Sequence, residues 1–434
     1  RDSRPLRSSS HAGGVSSDRT PSSPLQASGS DPPVPLSPTG HLALAMKLLV
    51  ATARPMSWSD LPPELLGLVL KRLPSLADRV RLRAVCHPWR SNALLQPLPP
   101  PLPWLALLDG TFLSIPDGEI IEMPMPDDAF CYGSVDNWLF LVHSDGQCSL
   151  MNPFSEDTLK LPDLSTGWHI RLPGCPEFNP VFCKLSVPSP LESSLNPLVA
   201  IMHESWGLCI FQPPVVTDTI QGREPLEALL EISFFGGKLF AIDSSRKLLN
   251  IELVEDLEHK PKISLFKCII ESSDDLLSRP ESMSSDEEYI VKPYLVECAG
   301  KLLMVNRWIC GLHPAPCIDY DRTRKFDVFE ADFITKPCRW RRVNDLGGHA
   351  LFVSSSSSKS FPAGECSGVQ ENCIYFMSEL SGLKLVADPL HDSGVYNMKN
   401  GVTIPLLSDT SAVPLPSYHV GPCRLTWLFA TQAL

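Results

Sequence analysis

The first strongly patterned stretch of the chain lies between residues 58 and 95. Leu65, Leu66, Val69, Leu70 and Leu73 recur at three- and four-residue spacing, which lays an apolar stripe along a helix. Pro62 and Pro63 precede it, where a first turn has no use for amide donors, and Pro74 stops it. Ser75 can cap a second helix carrying Leu76, Val80 and Leu82; Val85, Cys86 and Trp89 form a third apolar set that Arg90 ends. Three short helices bury only a thin core. Such a unit needs a partner or a neighbouring domain.

From Trp104 onward the period changes. Short apolar runs alternate with Gly, Asp, Asn, Ser and Pro: Trp138 to Val142, then Asp145-Gly146, then Cys148 to Met151. Ile232 to Phe235, Gly236-Gly237, Leu239 to Ile242, Asp243 to Arg246 and Lys247 to Leu253 repeat the theme. Each reads as strand, tight turn, strand. Phe326 to Glu330, Trp340 to Val343, Ala350 to Val353, Cys373 to Met377 and Val395 to Met398 are further expected strands. Gly237-Lys238-Leu239-Phe240 is echoed by Gly300-Lys301-Leu302-Leu303, each between two apolar runs. Many short antiparallel strands with a repeating hairpin predict a β-propeller, with a pair of two-sheet sandwiches as the alternative. At roughly 40–50 residues per blade there is room for about seven blades. The fold class is therefore α+β and multidomain: a small three-helix unit followed by a mainly antiparallel propeller.

Composition sharpens this division. Proline numbers 43 of 434 residues, about twice the usual share, which argues against a long helical bundle. Residues 1–40 hold 11 Ser, 7 Pro and 4 Gly, so residues 1–55 are expected to be a disordered leading segment. The chain begins at Arg1, and Met46 and Met56 are candidate natural starts. The expected order is then a helical unit over 56–95, a Pro-rich linker over 96–103 and a propeller over 104–434. Glu271 to Glu288 interrupts the strands with seven acidic residues and six serines. It reads as a solvated loop, the sharper alternative being a phosphorylatable switch.

The net charge of −12 argues against nucleic-acid binding by bulk charge, which needs a basic face to displace counterions, so nucleic acid is not an expected partner. The longest apolar stretch, Leu42 to Ala53, is interrupted by Lys47 and falls short of the ~18 residues a membrane span needs. Fourteen scattered cysteines without a Cys-x-x-Cys pair suit reduced thiols, hence the cytoplasm or nucleus.

Chemistry-bearing motifs are sparse. Gly236-Gly237-Lys238 lacks the flanking residues of a phosphate loop and reads as a hairpin turn. Cys310, His313 and Cys317 match no standard zinc spacing, and His349 follows Gly347-Gly348 as a turn residue. No catalytic residue, cofactor site or metal site is expected. Trp168, Trp206 and Trp308 are candidate contact aromatics, with the blade interior as the plainer place for each.

Leu61-Pro62-Pro63-Glu64-Leu65-Leu66, followed by Val85-Cys86 and Trp89-Arg90, resembles an F-box. Pro88 departs from the pattern and shifts the third helix without removing its Trp anchor. The remainder is similar to the C-terminal KIB-type, Kelch-like β-propeller of plant F-box proteins. The likeness rests on Leu150-Met151-Asn152-Pro153-Phe154, Leu159-Lys160-Leu161-Pro162 and Phe235 to Asp243. Phe326 to Phe329, Trp340 to Val343, Asp345 to Phe352 and Asn372 to Phe376 extend it.

This resemblance implies a substrate-recognition subunit of a ubiquitin ligase. Its F-box would bind a Skp-type adaptor, and through it cullin and RING subunits, while the propeller binds a protein target. Leu61, Pro62, Leu65, Leu66, Val69, Leu73, Val85, Cys86 and Trp89 would form the adaptor surface, although some of them, Val69 and Leu73 especially, are expected to serve the internal core instead. A non-degradative scaffold and, further off, a propeller hydrolase are the rival readings.

Overall fold

The computed structural model describes residues 57–73, 76–96, 102–107, 110–115, 118–145, 147–161, 182–188, 191, 197–203, 207–212, 215–220, 228–257, 260–279, 283, 288–311, 322–364, 368–378, 390–407 and 425–429. Residues 1–56, most of the Pro-rich linker, Glu281, Asp286 and Glu287 of the 271–288 stretch, Trp168, Trp206, His313 and Cys317 lie outside the described residues.

A single 3-10 turn, Trp58–Asp60, leads into α1 (Pro63–Lys71), α2 (Leu76–Ala84) and α3 (His87–Leu94). Proline stands in the first turn of both α1 and α3, where its missing N–H costs nothing. Pro88 thus starts α3 rather than disturbing it. Leu66, Leu70, Leu82 and Ala93 form the small core, with Leu61, Leu73 and Trp89 packed against it. Arg79 is buried beside them, and its Nε donates to the Leu73 carbonyl at 2.7 Å, closing the end of α1. Burial pushes that guanidinium down to about 10.

The strands fold into six sheets among the described residues, each a blade. The first holds β1 (Trp104–Ala106), β2 (Thr111–Ser114) and β3 (Ile120–Glu122); the second β4 (Ala129–Val135), β5 (Trp138–His143), β6 (Cys148–Met151) and β7 (Thr158–Lys160). The third is β8 (Phe182–Ser186), β9 (Val199–His203), β10 (Gly207–Gln212) and β11 (Val215–Ile220). The fourth is β12 (Leu229–Phe235), β13 (Lys238–Asp243), β14 (Leu248–Glu255) and β15 (Pro261–Ile270). The fifth is β16 (Glu288–Cys298), β17 (Lys301–Gly311), β18 (Arg322–Asp332) and β19 (Arg339–Val343). The sixth contains β20 (His349–Val353), β21 (Lys359–Pro362), β22 (Cys373–Phe376), β23 (Gly394–Asn397) and β24 (Thr403–Ile404).

The last strand, β25 (Thr426–Leu428), pairs antiparallel with β1 through Trp104↔Leu428 and Ala106↔Thr426. The end of the chain thereby completes the first blade. Strand pairing within the blades is antiparallel except in the sixth, where β20 runs parallel to β22. The length left room for about seven blades and the count open; the described residues form six. The inner strands β4, β8, β12 and β16 begin at intervals of 47 to 59 residues, longer than the spacing used for that count.

Each interface between consecutive blades holds its own apolar cluster, and the period-2 alternation of a strand divides its side chains between two of them. Leu139 and Leu141 of β5 pack with Trp104 and Leu428 of the first blade. Phe140 and Val142, between them in sequence, pack with Val199 and Ile201 of the third. Ala200 and Met202 then face Leu239 and Ala241, and Phe240 and Ile242 face Leu295 and Leu302. Leu303 and Val305 meet Leu351 and Val353; Ala350 and Phe352 meet Leu105 and Trp427, closing the ring. A strand buried on both faces reads as an unbroken apolar run, which is why runs and not alternation marked these strands.

The Gly-Lys-Leu echo falls on equivalent two-residue turns, Phe235↔Lys238 and Cys298↔Lys301. Gly237 and Gly300 sit at φ of +74° and +72°, the left-handed region such hairpins require.

Candidate interaction surface

The helical unit is apolar on two sides of the same helix. Leu66 and Leu70 of α1 face its core, whereas Leu65, Leu68 and Val69, at i, i+3 and i+4, remain 49%, 49% and 44% exposed. A helix with a second apolar stripe is covered on both sides when in service, or it pays for exposed hydrocarbon. Val85, at the α2–α3 corner, is 63% exposed, and Trp58, Val80, Leu94 and Leu95 are exposed as well.

The nine residues expected at an adaptor surface divide by place. Leu65, Val69 and Val85 are exposed. Pro62 and Cys86 are half-buried as the residues that cap α1 and α3. Leu61, Leu73 and Trp89 lie half-buried against the core, and the Trp89 indole donates to the Trp58 carbonyl at 2.7 Å. Leu66 is fully enclosed. Leu73 therefore serves the core as expected; Val69, expected there too, points outward. Leu68, Trp58, Leu94 and Leu95 were not singled out by spacing, although the five apolar residues among positions 65–70 already exceed what one stripe can use.

Residues 58–95 carry six basic side chains against three acidic ones, the reverse of the whole chain's −12. Arg72 Nη1 donates to the Leu68 carbonyl at 3.1 Å, and Arg81 pairs with Asp78 and with Glu119 of the first blade. Arg72 thus sits beside the exposed Leu68, while Arg79 is buried and Arg81 is engaged by two carboxylates.

Elsewhere the candidate chemistry resolves into structure. Trp308 is buried and its indole donates to Asp327 Oδ2 at 2.8 Å. Cys310 is enclosed in β17. His349, expected in a turn, is the first residue of β20 and pairs with Pro362, its Nδ1 3.0 Å from the Gly347 carbonyl of the turn before it. Among the described residues, no group of three or more His, Cys, Asp or Glu is placed to hold a metal ion, and no helix is long and apolar enough to cross a membrane.

Comparison with known proteins agrees with both regions. An F-box-like family model matches residues 58–96, and the KIB1-4 beta-propeller model matches residues 112–397. F-box protein At2g26160 of Arabidopsis thaliana is 25% identical over 354 residues, covering 74% of this chain and 96% of that protein. F-box protein SKIP23 of the same plant is 23% identical over 399 residues, covering 80% and 90%. With six mainly antiparallel blades among the described residues behind an F-box-like helical unit, the chain belongs to the KIB1-4 beta-propeller family of F-box proteins.

Proposed function

We propose that the chain is the substrate-recognition subunit of a Skp–cullin–F-box ubiquitin ligase, working in the cytoplasm or nucleus. Residues 56–95 seat on a Skp-type adaptor, 96–103 link, and 104–434 hold a protein target; residues 1–55 precede them. The observation that carries this reading is the second apolar stripe of α1. Leu65, Leu68 and Val69 remain outside a core that needs only four enclosed side chains.

In the assembly, Leu65, Val69 and Val85 are the central anchors, with Leu61, Pro62, Cys86 and Trp89 at their margin. Leu66 and Leu73 hold the helix from beneath. Ubiquitin transfer takes place on other subunits, so this chain contributes binding and no bond-making.

Co-expression of the chain with a plant Skp-type adaptor, followed by size-exclusion chromatography, tests the reading. A stoichiometric complex that is lost on Leu65→Asp with Val69→Asp is the expected result. Co-elution of the folded double variant would overturn it. These two positions are preferable to Trp89, whose indole also ties the helices together.

A further inference from the structure

The outer half of the fifth blade reverses the charge of the chain. Residues 322–343, which hold β18 and β19, carry seven basic side chains against three acidic ones, where the whole chain stands at −12. Burial deepens the contrast. Asp327 is buried and Glu330 and Asp332 are half-buried, whereas Arg339, Arg341 and Arg342 of β19 are all exposed.

The three carboxylates do not neutralise this surface. Glu330 is shared by Lys301 at 3.1 Å and Arg341 at 2.7 Å. Asp327 is shared by Lys325 at 3.0 Å and by Arg342, and accepts from the Trp308 indole besides. Two carboxylates thus serve four cations. Asp332, opposite Arg339 in the ladder, spends its Oδ1 on the amides of Ile334 and Thr335 at 3.0 and 3.1 Å. Arg339 acts on that satisfied carboxylate only through space.

β19 is also an edge. Among the described residues it pairs with β18 alone, from Val328↔Val343 to Asp332↔Arg339, so one row of its backbone donors and acceptors has no partner strand. Alternation along the strand puts Arg339 and Arg341 on one side, Trp340 and Arg342 on the other. Guanidinium forks match carboxylates bidentately, as ammonium groups do not. A polypeptide answers both features, because its backbone pairs with an open edge while its side chains face the arginines. A nucleic acid answers only the charge.

We infer that β19 is the docking strand for an acidic segment of the protein target, one with Asp or Glu at alternate positions that joins the fifth blade as an added strand. Two of its carboxylates face Arg341 and Arg339, and Arg342 adds attraction from the other side. The inference rests on the reading of the propeller as the target-binding domain, and adds where and by what chemistry a target is held.

Fluorescence anisotropy of a labelled peptide of four Glu-Thr repeats, titrated with the full chain, tests this beside a control of four Gln-Thr repeats. The Glu peptide is expected to bind, more weakly as salt rises, and the Gln peptide at least about tenfold more weakly. Arg339→Gln with Arg341→Gln and Arg342→Gln is expected to cost a similar factor. Arg341 and Arg342 also hold carboxylates of the blade, so Arg339→Glu alone is the second variant, with a severalfold loss expected. No binding of the Glu peptide, or equal binding by both variants and the parent, overturns the inference and leaves the arginines as guards against edge pairing. Tighter binding of an octauridylate RNA than of the Glu peptide overturns it as well. Co-elution with the Skp-type adaptor is read on the same preparations and is expected to be unchanged, which separates failure here from failure of the adaptor reading.

Discussion

The helices and the blades are built from the same aliphatic residues and treat them in opposite ways. In the propeller, a strand such as β5 gives Leu139 and Leu141 to one neighbour and Phe140 and Val142 to the other, and both faces are covered. In α1 one stripe, Leu66 and Leu70, is covered, while Leu65, Leu68 and Val69 are left outside. The propeller is complete because its sixth blade meets its first. The helical unit has no second neighbour within its own core. What differs is closure, and the unclosed region is where association has most to gain.

The largest expected effect tests that contrast directly. Leu65→Asp with Val69→Asp puts two charges into the proposed interface centre, costing roughly 2 kcal/mol or more each, hence at least about a thousandfold in adaptor affinity. Because both side chains are already about half exposed, the thermal midpoint of the free protein is expected to stay within a degree or two of the parent. Titration calorimetry and thermal unfolding on the same preparation read both quantities. A large fall in stability would show that α1 has a single core stripe after all.

The converse experiment is at the ring closure. Trp427 is fully buried between the first and sixth blades, edge-on to Phe352 at 5.3 Å, with its indole donating to the Val353 carbonyl at 3.1 Å. Trp427→Ala is expected to cost about 3–5 kcal/mol of propeller stability through lost burial and a cavity. At low temperature it should leave adaptor binding intact. Loss of binding with the propeller still folded would mean that the two regions are not independent.

Arg79→Met is the next step down. It removes the Nε donor to the Leu73 carbonyl from an enclosed site, at about 1.5–3 kcal/mol. Amide exchange should accelerate across residues 61–94 and stay unchanged in the blades. Equal acceleration in β4 or β17 would break the comparison, by showing one cooperative unit.

Much of this division was readable in the chain. Apolar runs bounded by Asp-Gly and Gly-Gly located β5, β6 and β12 to β14, and the Gly-Lys-Leu echo marked an equivalent turn in two successive blades. In the third blade β9 and β10 are apolar runs as well, Val199 to Met202 and Leu208 to Phe211, but they match no motif of the family, and the parallel step between β20 and β22 has no local signal because it is set by chain connection. Buried charges were equally hidden. Arg307 is fully enclosed and bonds Asp392 Oδ2 at 2.8 Å from 85 residues away, and nothing near either residue announces the other. The serine run misleads for a related reason. Composition suggests solvent, while its hydroxyls are satisfied by one another and by Thr426. At the helices, spacing found the apolar residues without sorting inward from outward, since α1 is apolar on both sides.

The smallest effect concerns exposed residues of the propeller, where exposure has a different meaning from that in α1. Lys301 and Arg341, both more than half exposed, converge on Glu330 at 3.1 and 2.7 Å. Burial alone would raise the Glu330 carboxyl, but the hydrogen bonds from Lys301 and Arg341 outweigh it and hold the group below its ordinary 4.5. A carboxyl depressed in the folded state contributes stability above its unfolded pKa, and that contribution disappears as pH falls through the folded value. Glu330→Gln should therefore cost at most about 1 kcal/mol near neutral pH, and nothing relative to the parent once the carboxyl is protonated. Urea unfolding of both proteins across that range gives the difference directly. A gap that widened towards acid would reverse the assigned sign. A small, acid-sensitive gap would show that the pairing at Glu330 is a local adjustment, whereas surface hydrocarbon on α1 is reserved for a partner.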